Sequence, residues 1–230
     1  MASAGKKLLF LGHRDGFPEE KRMTLESSKN MGGIGSILLF IGVLPWIAPY
    51  GWILALMGCI LALVGFKGLA DYYNEASVFN NALYALILAI VGFGIFVAVV
   101  ITSAFGLLAA MGLNASNIAE WSAVFSQADL QAYASLMMGF VGQIVLGAVV
   151  LWICLIVAAV LLRKSLGIAS MKTHVGMFGT TGLPILIGAA IPLLGLLLIW
   201  IGLLLLAVAF FSIRPQPAQP VAPAPSPTQV

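Results

Sequence analysis

Residues 31–66, MGGIGSILLFIGVLPWIAPYGWILALMGCILALVGF, decide the fold. No Asp, Glu, Lys or Arg interrupts them, and one helix of this length would measure about 55 Å, against a bilayer core of ~30 Å. Pro45 and Pro49 lie near the middle, where proline interrupts helical hydrogen bonding and restricts the residue before it. The stretch therefore predicts two membrane helices, at about 31–46 and 50–67, joined by a tight turn. A single kinked helix is the alternative.

The composition of the whole chain agrees with this interpretation. Of the 230 residues, 61% are hydrophobic and 8% are charged, against ~25% charged residues in an ordinary soluble domain. The mean hydropathy is +1.08. So much apolar surface excludes a soluble globular protein and a disordered chain. The 11 Lys and Arg residues form no basic stripe, which excludes a nucleic-acid partner. The chain is predicted to be an all-α polytopic membrane protein.

Three further runs without charged residues complete the predicted helix bundle. The last run contains Pro192, which predicts a second helical hairpin. Its glycines at 188, 195 and 202 keep one spacing across that proline, so one long final helix is the alternative. Six helices are therefore expected, with five as the alternative. The four later helices are predicted at about 80–112, 134–162, 175–191 and 196–213.

Positive charge is distributed unequally among the predicted loops. The segment before the first helix holds six of the 11 Lys and Arg residues, whereas the 113–135 loop holds none. Because Lys and Arg concentrate on the cytoplasmic side, the N-terminus is predicted to be cytoplasmic and the 113–135 loop external. With six helices, all 11 basic residues lie inside. The expected location is the cell membrane, with several passes.

The two ends of the chain differ from its helical part. Residues 1–22 are predicted to be a flexible cytoplasmic arm or an extension upstream of a start at Met23. Residues 23–213 form the transmembrane helical domain. Residues 214–230 contain six of the 11 prolines and are predicted to be a disordered tail. In the external loop, Asn114 opens an N-x-S sequence, a candidate glycosylation acceptor.

Glycine is abundant, with 25 residues, and much of it recurs every seven positions inside the predicted helices. A step of seven returns to nearly the same helix face, and small residues let membrane helices approach closely. This spacing predicts close helix packing, with a glycine-lined permeation path as the alternative. The residues are Gly35, Gly42, Gly51, Gly58, Gly65, Gly188, Gly195 and Gly202.

The apolar runs carry few polar side chains. Gln143, Thr102 and Ser103 are candidates for hydrogen bonds between helices, or alternatively for lining a solute or lipid pocket. Apart from two cysteines, no ionisable residue lies deep in a predicted helix, so the carboxylates, histidines and lysines that mark proton relays are missing there. The sequence also contains no metal-ligand spacing, nucleotide-binding loop or nucleophile elbow. We therefore expect no cofactor, no metal and no enzymatic activity.

Several short strings together resemble a family of archaeal and bacterial integral membrane proteins, domain-of-unknown-function family 996. The resemblance covers roughly residues 24–213 and implies a start at Met23. It brings no substrate, reaction or cofactor, so no functional residue can be transferred from the family. The strings are ESSK (26–29), GGIG (32–35), KGLADYY (67–73), FNNALY (79–84) and LLLAVAFFSI (204–213).

These observations favour a non-catalytic membrane component that acts through helix and lipid contacts, or as a subunit of a membrane complex. Its expected partners are membrane lipids, further copies of itself or another membrane protein. A small channel or uncoupled transporter for a small solute is the alternative, with Gln143 and the glycine faces lining the path. A solute flux that disappears in Gln143→Leu would favour this alternative.

Overall fold

Six α-helices make up the part of the chain that a computed structural model describes, namely residues 24–44, 48–113, 130–191 and 194–214. No strand occurs within these ranges. The prediction of an all-α fold with six helices is confirmed. The helices are α1 (Leu25–Gly42), α2 (Ala48–Tyr72), α3 (Ala76–Ala110), α4 (Leu130–Thr173), α5 (Gly176–Ala190) and α6 (Leu194–Phe211).

Both proline-containing stretches fold as hairpins. Residues 31–66 form most of α1 and α2, which pack against each other after a turn that begins at Val43. At the other end of the chain, α5 ends at Ala190 and α6 begins at Leu194, so the five-helix alternative is wrong. The glycine spacing across Pro192 persists because Gly188 and Gly195 face each other within this hairpin.

Several boundaries differ from the predicted ones, including the end of α2, which runs to Tyr72 and not to about residue 67. Helix α1 begins six residues earlier than expected, because the Thr24 hydroxyl accepts a 3.2 Å hydrogen bond from the Ser27 backbone N–H and caps the helix. Helix α3 also begins earlier, at Ala76. Helix α4 continues 11 residues beyond Leu162, since Leu166 is fully buried and holds the extension against the other helices.

Three helices are long and apolar enough to cross a membrane, at Tyr50–Tyr72, Ala76–Ala110 and Ala134–Thr173. Two further apolar helices, Gly176–Ala190 and Gly195–Phe211, are shorter. The fold is therefore that of a helical membrane protein. Residues 1–22 and 215–230 lie outside the described ranges, so their assignment to an arm and a tail stays a prediction.

The six helices form a closed ring of three hairpins. Each helix packs on its neighbours in the chain, and α6 closes the ring by packing on α1. At this closure the rings of Trp200 and Phe40 stack with centroids 4.4 Å apart, and the Trp200 indole N–H donates a 3.1 Å hydrogen bond to the Phe40 carbonyl. The chain thus joins its first and last helices by both an aromatic and a polar contact.

The end of the ring that carries the α2–α3 and α4–α5 turns is called the base here. Phe210 lies at the centre of the buried core in the base. Its side chain is fully buried. It makes edge-to-face contacts with Phe66 and Phe178, each with centroids 5.2 Å apart, and it lies directly on Gly32. Four helices therefore meet at one ring, in an arrangement that aromatic pairs favour.

An ion pair connects the two turns at the base. Lys172 Nζ lies 3.1 Å from a Glu75 carboxylate oxygen, and the Ser77 hydroxyl donates to the same carboxylate. The Ser77 hydrogen bond and then Lys172 hold the pKa of Glu75 below its usual value. The adjoining residues Asn74 and His174 adopt positive φ angles of 51° and 55°, which ends each helix sharply.

The Glu75→Gln variant is expected to be less stable than the natural chain at neutral pH, and the difference should vanish in acid. The lowered pKa means that Glu75 stabilises the fold above its ordinary value of ~4.3 and loses this effect as the pH falls through the lower folded value. Exposed ion pairs contribute little, so we expect at most about 4 °C in the unfolding midpoint. Thermal unfolding in detergent between about pH 7 and pH 2.5 measures it, and a gap that persists in acid would contradict it.

Candidate functional site

The α3–α4 hairpin extends beyond the α5–α6 hairpin. The Trp152 indole N–H donates a 2.9 Å hydrogen bond to the carbonyl of Ala189, one residue before α5 ends. From that level α4 has 22 more residues, 130–151, which would cover about 33 Å. In the described chain α4 packs mainly on α3 and α5, so this extension packs on α3. We call residues 94–110 and 134–151 the distal hairpin.

One polar pair joins the two helices of the distal hairpin. Ser103 is buried, and its hydroxyl donates a 2.6 Å hydrogen bond to Gln143 Oε1. The Gln143 side chain is itself exposed at the surface of the described chain. A carboxamide has two N–H donors and two acceptor lone pairs, and the bond to Ser103 uses one lone pair. Gln143 therefore presents further hydrogen-bonding capacity outward.

A cleft of about 300 Å³ lies beside this pair. Its lining includes Gly106 and Gly139, and a Cβ atom added at either position would meet nothing within 4 Å. The surface therefore has a notch where a larger group from outside could approach the helix backbones. The lining residues are Ser103, Gly106, Leu107, Ala110, Ser135, Leu136, Gly139, Phe140 and Gln143.

Thr102 does not share this cleft, although it was grouped with Ser103 and Gln143. Its hydroxyl donates to the Ala98 carbonyl at 2.8 Å and to the Val99 carbonyl at 3.1 Å, both within α3. Because adjacent helical residues point about 100° apart, Thr102 faces away from the side of α3 that carries Ser103. Asn114, the candidate glycosylation acceptor, lies outside the described residues.

The heptad glycines lie where helix backbones approach each other. A Cβ atom at Gly58 would come within 2.7 Å of the Leu39 backbone nitrogen and 2.8 Å of the Gly35 carbonyl oxygen. Such distances leave no room for a methyl group. The same kind of contact recurs in both glycine-rich hairpins. The facing pairs are Gly35 with Gly58, Gly42 with Gly51, Gly65 with Gly32, and Gly188 with Gly195, whereas an added Cβ at Gly202 would meet the Ile185 side chain.

Sequence reasoning missed the cleft glycines. Gly106 and Gly139 do not follow the seven-residue spacing of the other glycines, and each has open space around it, as does the nearby Gly142. A signal was nevertheless present, since Ser135 and Gly139 form a small-xxx-small pattern that ends four residues before Gln143. That pattern predicts close approach by another helix.

The chemistry of the cleft is that of neutral hydrogen bonding. Its lining contains hydroxyl, carboxamide, apolar and backbone groups, and none of its side chains titrates near neutral pH. No group of three or more His, Cys, Asp or Glu residues occurs in the described ranges. The cleft is equipped to contact another apolar surface and to exchange hydrogen bonds with it.

A family model described as "Protein of unknown function (DUF996)" matches residues 54–211, more than half of the chain. The chain belongs to this family, which confirms the resemblance. The matched range begins at Leu54, so the ESSK and GGIG strings of α1 lie outside it. No curated protein and no solved structure matches the chain.

Proposed function

We propose that this member of the DUF996 family is a non-catalytic membrane component, which acts by binding another membrane-protein surface through its distal hairpin. The observation that carries this proposal is the exposed apolar extension of α3 and α4, with the Ser103–Gln143 cleft on its surface. The family description assigns no activity, so the proposal rests on the structure of this chain.

The length of the hairpin supports a covering partner. Residues 82–110 of α3 and 134–162 of α4 are two uncharged helical runs of 29 residues each. Each run is about 44 Å long, against a hydrocarbon core of ~30 Å. To bury this length in lipid alone, the hairpin would have to tilt by about 45°, beyond the usual range of ~0–40°.

The exposed side chains of the distal hairpin favour a protein partner whether the hairpin lies above the hydrocarbon core or inside it. Leu146, which lies seven residues after Gly139 on the same side of α4, is 68% exposed, and Met138 next to Gly139 is 75% exposed. If this part stands above the hydrocarbon core, water is a poor solvent for these residues. If it lies inside the core, lipid tails cannot accept hydrogen bonds from the Gln143 carboxamide. A protein surface with apolar side chains and a polar group meets both requirements.

The base supplies the orientation that we propose. Arg163, Lys164 and Lys172 lie in the part of α4 near the base, where they would face anionic lipid headgroups. We therefore propose that the base and the N-terminus face the cytoplasm at the cell membrane and that the distal hairpin faces the external side. Membrane lipids would cover the remaining helix faces, and no nucleic-acid partner is proposed.

The proposal predicts that Gln143→Leu reduces the amount of membrane protein that stays bound to the chain during purification. Loss of its hydrogen bonds should weaken binding by about three- to twentyfold. The measurement is purification from native membranes in a mild detergent, followed by mass spectrometry of the bound material. Thr102→Val is the matched control, because Thr102 is a polar residue of the same hairpin, on α3, but bonds only within its own helix.

Retention of one protein at fixed stoichiometry, reduced in Gln143→Leu and unchanged in Thr102→Val, would support the proposal. Another protein or a second copy of the chain would both count as partners. If the natural chain retains lipid alone and runs as a monomer, the proposal is wrong. If both variants retain the same amount of partner, the partner does not bind at the cleft, and the proposal is again wrong.

The second candidate is a small channel or uncoupled transporter, which the exposed carboxamide of Gln143 in an apolar hairpin favours. The packing of the base weighs against this candidate, because the side chains of Phe66, Phe178 and Phe210 fill the space between the helices there. Flux of small neutral solutes into liposomes that contain the pure chain, lost in Gln143→Leu, would support this candidate in place of the first.

A further inference from the structure

We infer that the distal hairpin binds a second copy of this chain, with the two Ser103–Gln143 clefts face to face across a twofold axis normal to the membrane. This inference rests on the proposed function and names its partner. Membrane topology gives two copies the same orientation, so both Gln143 side chains lie at the same depth. Any other partner would need a suitable polar group at that depth.

The polar pair is self-complementary. Gln143 Oε1 accepts from Ser103 and retains a second lone pair, while its amide nitrogen carries two N–H donors. Across a twofold axis, each carboxamide can donate to the carboxamide oxygen of the other copy. Such an isologous contact needs no second sequence, since one surface supplies both the donor and the acceptor.

The size of the surface is sufficient for a specific contact. Residues 94–110 of α3 extend for about 25 Å, and two adjacent helices are roughly 20 Å wide. The footprint is therefore about 500 Å² on each copy, or about 1,000 Å² in total, which is at the lower limit for a biological interface.

The glycines distinguish this surface from those used within the chain. In the two glycine-rich hairpins, Gly58 and Gly195 are closely covered by neighbouring backbone, whereas Gly106, Gly139 and Gly142 have no neighbour within 4 Å of an added Cβ. Close approach at these three positions is possible only for a group from outside the described chain. Helices of a second copy would use them as α1 and α2 use theirs.

The test is disulfide crosslinking of the full chain in its native membrane. In a background with Cys59→Ala and Cys154→Ala, a single cysteine is placed by Gly139→Cys, in the cleft, or by Val141→Cys, on the opposite side of α4. Mild oxidation should produce a covalent dimer from Gly139→Cys and little from Val141→Cys. Adding Gln143→Leu should lower the dimer yield by about three- to twentyfold. The unmodified chain should have the mass of a dimer by native mass spectrometry.

The outcomes separate this inference from the function on which it rests. A monomer mass together with a Gln143-dependent foreign protein would overturn the second copy and leave the proposed function standing. A monomer that retains no protein would overturn both. Stronger crosslinking at Val141→Cys than at Gly139→Cys, or a dimer that Gln143→Leu does not weaken, would show that copies meet elsewhere. The native mass decides the case even where a cysteine variant fails to fold.

Discussion

Replacing Phe210 with alanine is expected to lower the free energy of unfolding by about 3–5 kcal/mol, the usual effect of removing a large buried aromatic side chain. The ring of Phe210 is fully buried between Phe66 and Phe178, and it also lies against Gly32. Its removal would open a cavity among four helices, which the neighbouring rings cannot fill without moving their backbones. Unfolding in mixed micelles, followed by circular dichroism as a denaturing detergent is added, measures the change.

Phe211→Ala is the matched control, because it removes the same side chain from the adjacent position. Phe211 is 41% exposed, so less packing is lost and the decrease should be clearly smaller. Equal effects of the two variants would show that Phe210 is not the centre of the core.

Gly58→Ala is expected to destabilise the chain by about 1–3 kcal/mol, although alanine is the better helix former. The added methyl group would overlap the backbone of α1 at Gly35 and Leu39, and backbone cannot give way as a flexible side chain can. The α1–α2 hairpin would have to separate. The same micelle titration reports the loss of stability.

Gly94→Ala is the opposite case, since an added Cβ at Gly94 meets nothing within 4 Å. There the higher helix propensity of alanine acts alone, so stability should stay unchanged or rise by up to about 1 kcal/mol. The two substitutions are chemically identical and should differ in sign. A decrease at both positions would mean that the helices do not pack as described.

The sequence predicted the hairpins better than it predicted the ends of helices. Pro45 and Pro192 each interrupt an apolar run too long for one crossing, which is sufficient to predict a turn. The end of α4 was missed because Arg163 and Lys164 look like a helix terminus. Charge alone does not end a helix that has further contacts, and Ser165 donates a 2.5 Å hydrogen bond to the Val78 carbonyl just beyond them.

The pairing of Ser103 with Gln143 could not be predicted from the sequence, again because it depends on contacts between helices. Gln143 and Ser103 stand out as polar residues in apolar runs, but their pairing depends on the register of α3 against α4. That register is fixed by contacts between Gly92 and Cys154 and between Gly147 and Val99, which no local pattern contains. Thr102 was included because a sequence does not show which of two adjacent residues faces the neighbouring helix.

Closure of the ring by α1 and α6 has a consequence for biosynthesis. The first helix ends at Gly42 and the last at Phe211, so the ribosome must add about 170 residues between them, which takes roughly 10–30 s. Throughout that interval the Phe210 ring, which covers the Gly32 face of α1 in the finished chain, has not yet been made. An interrupted chain that lacks α6 leaves this face open. A chain that stops before α6 therefore exposes, at its first helix, a surface that the finished chain buries.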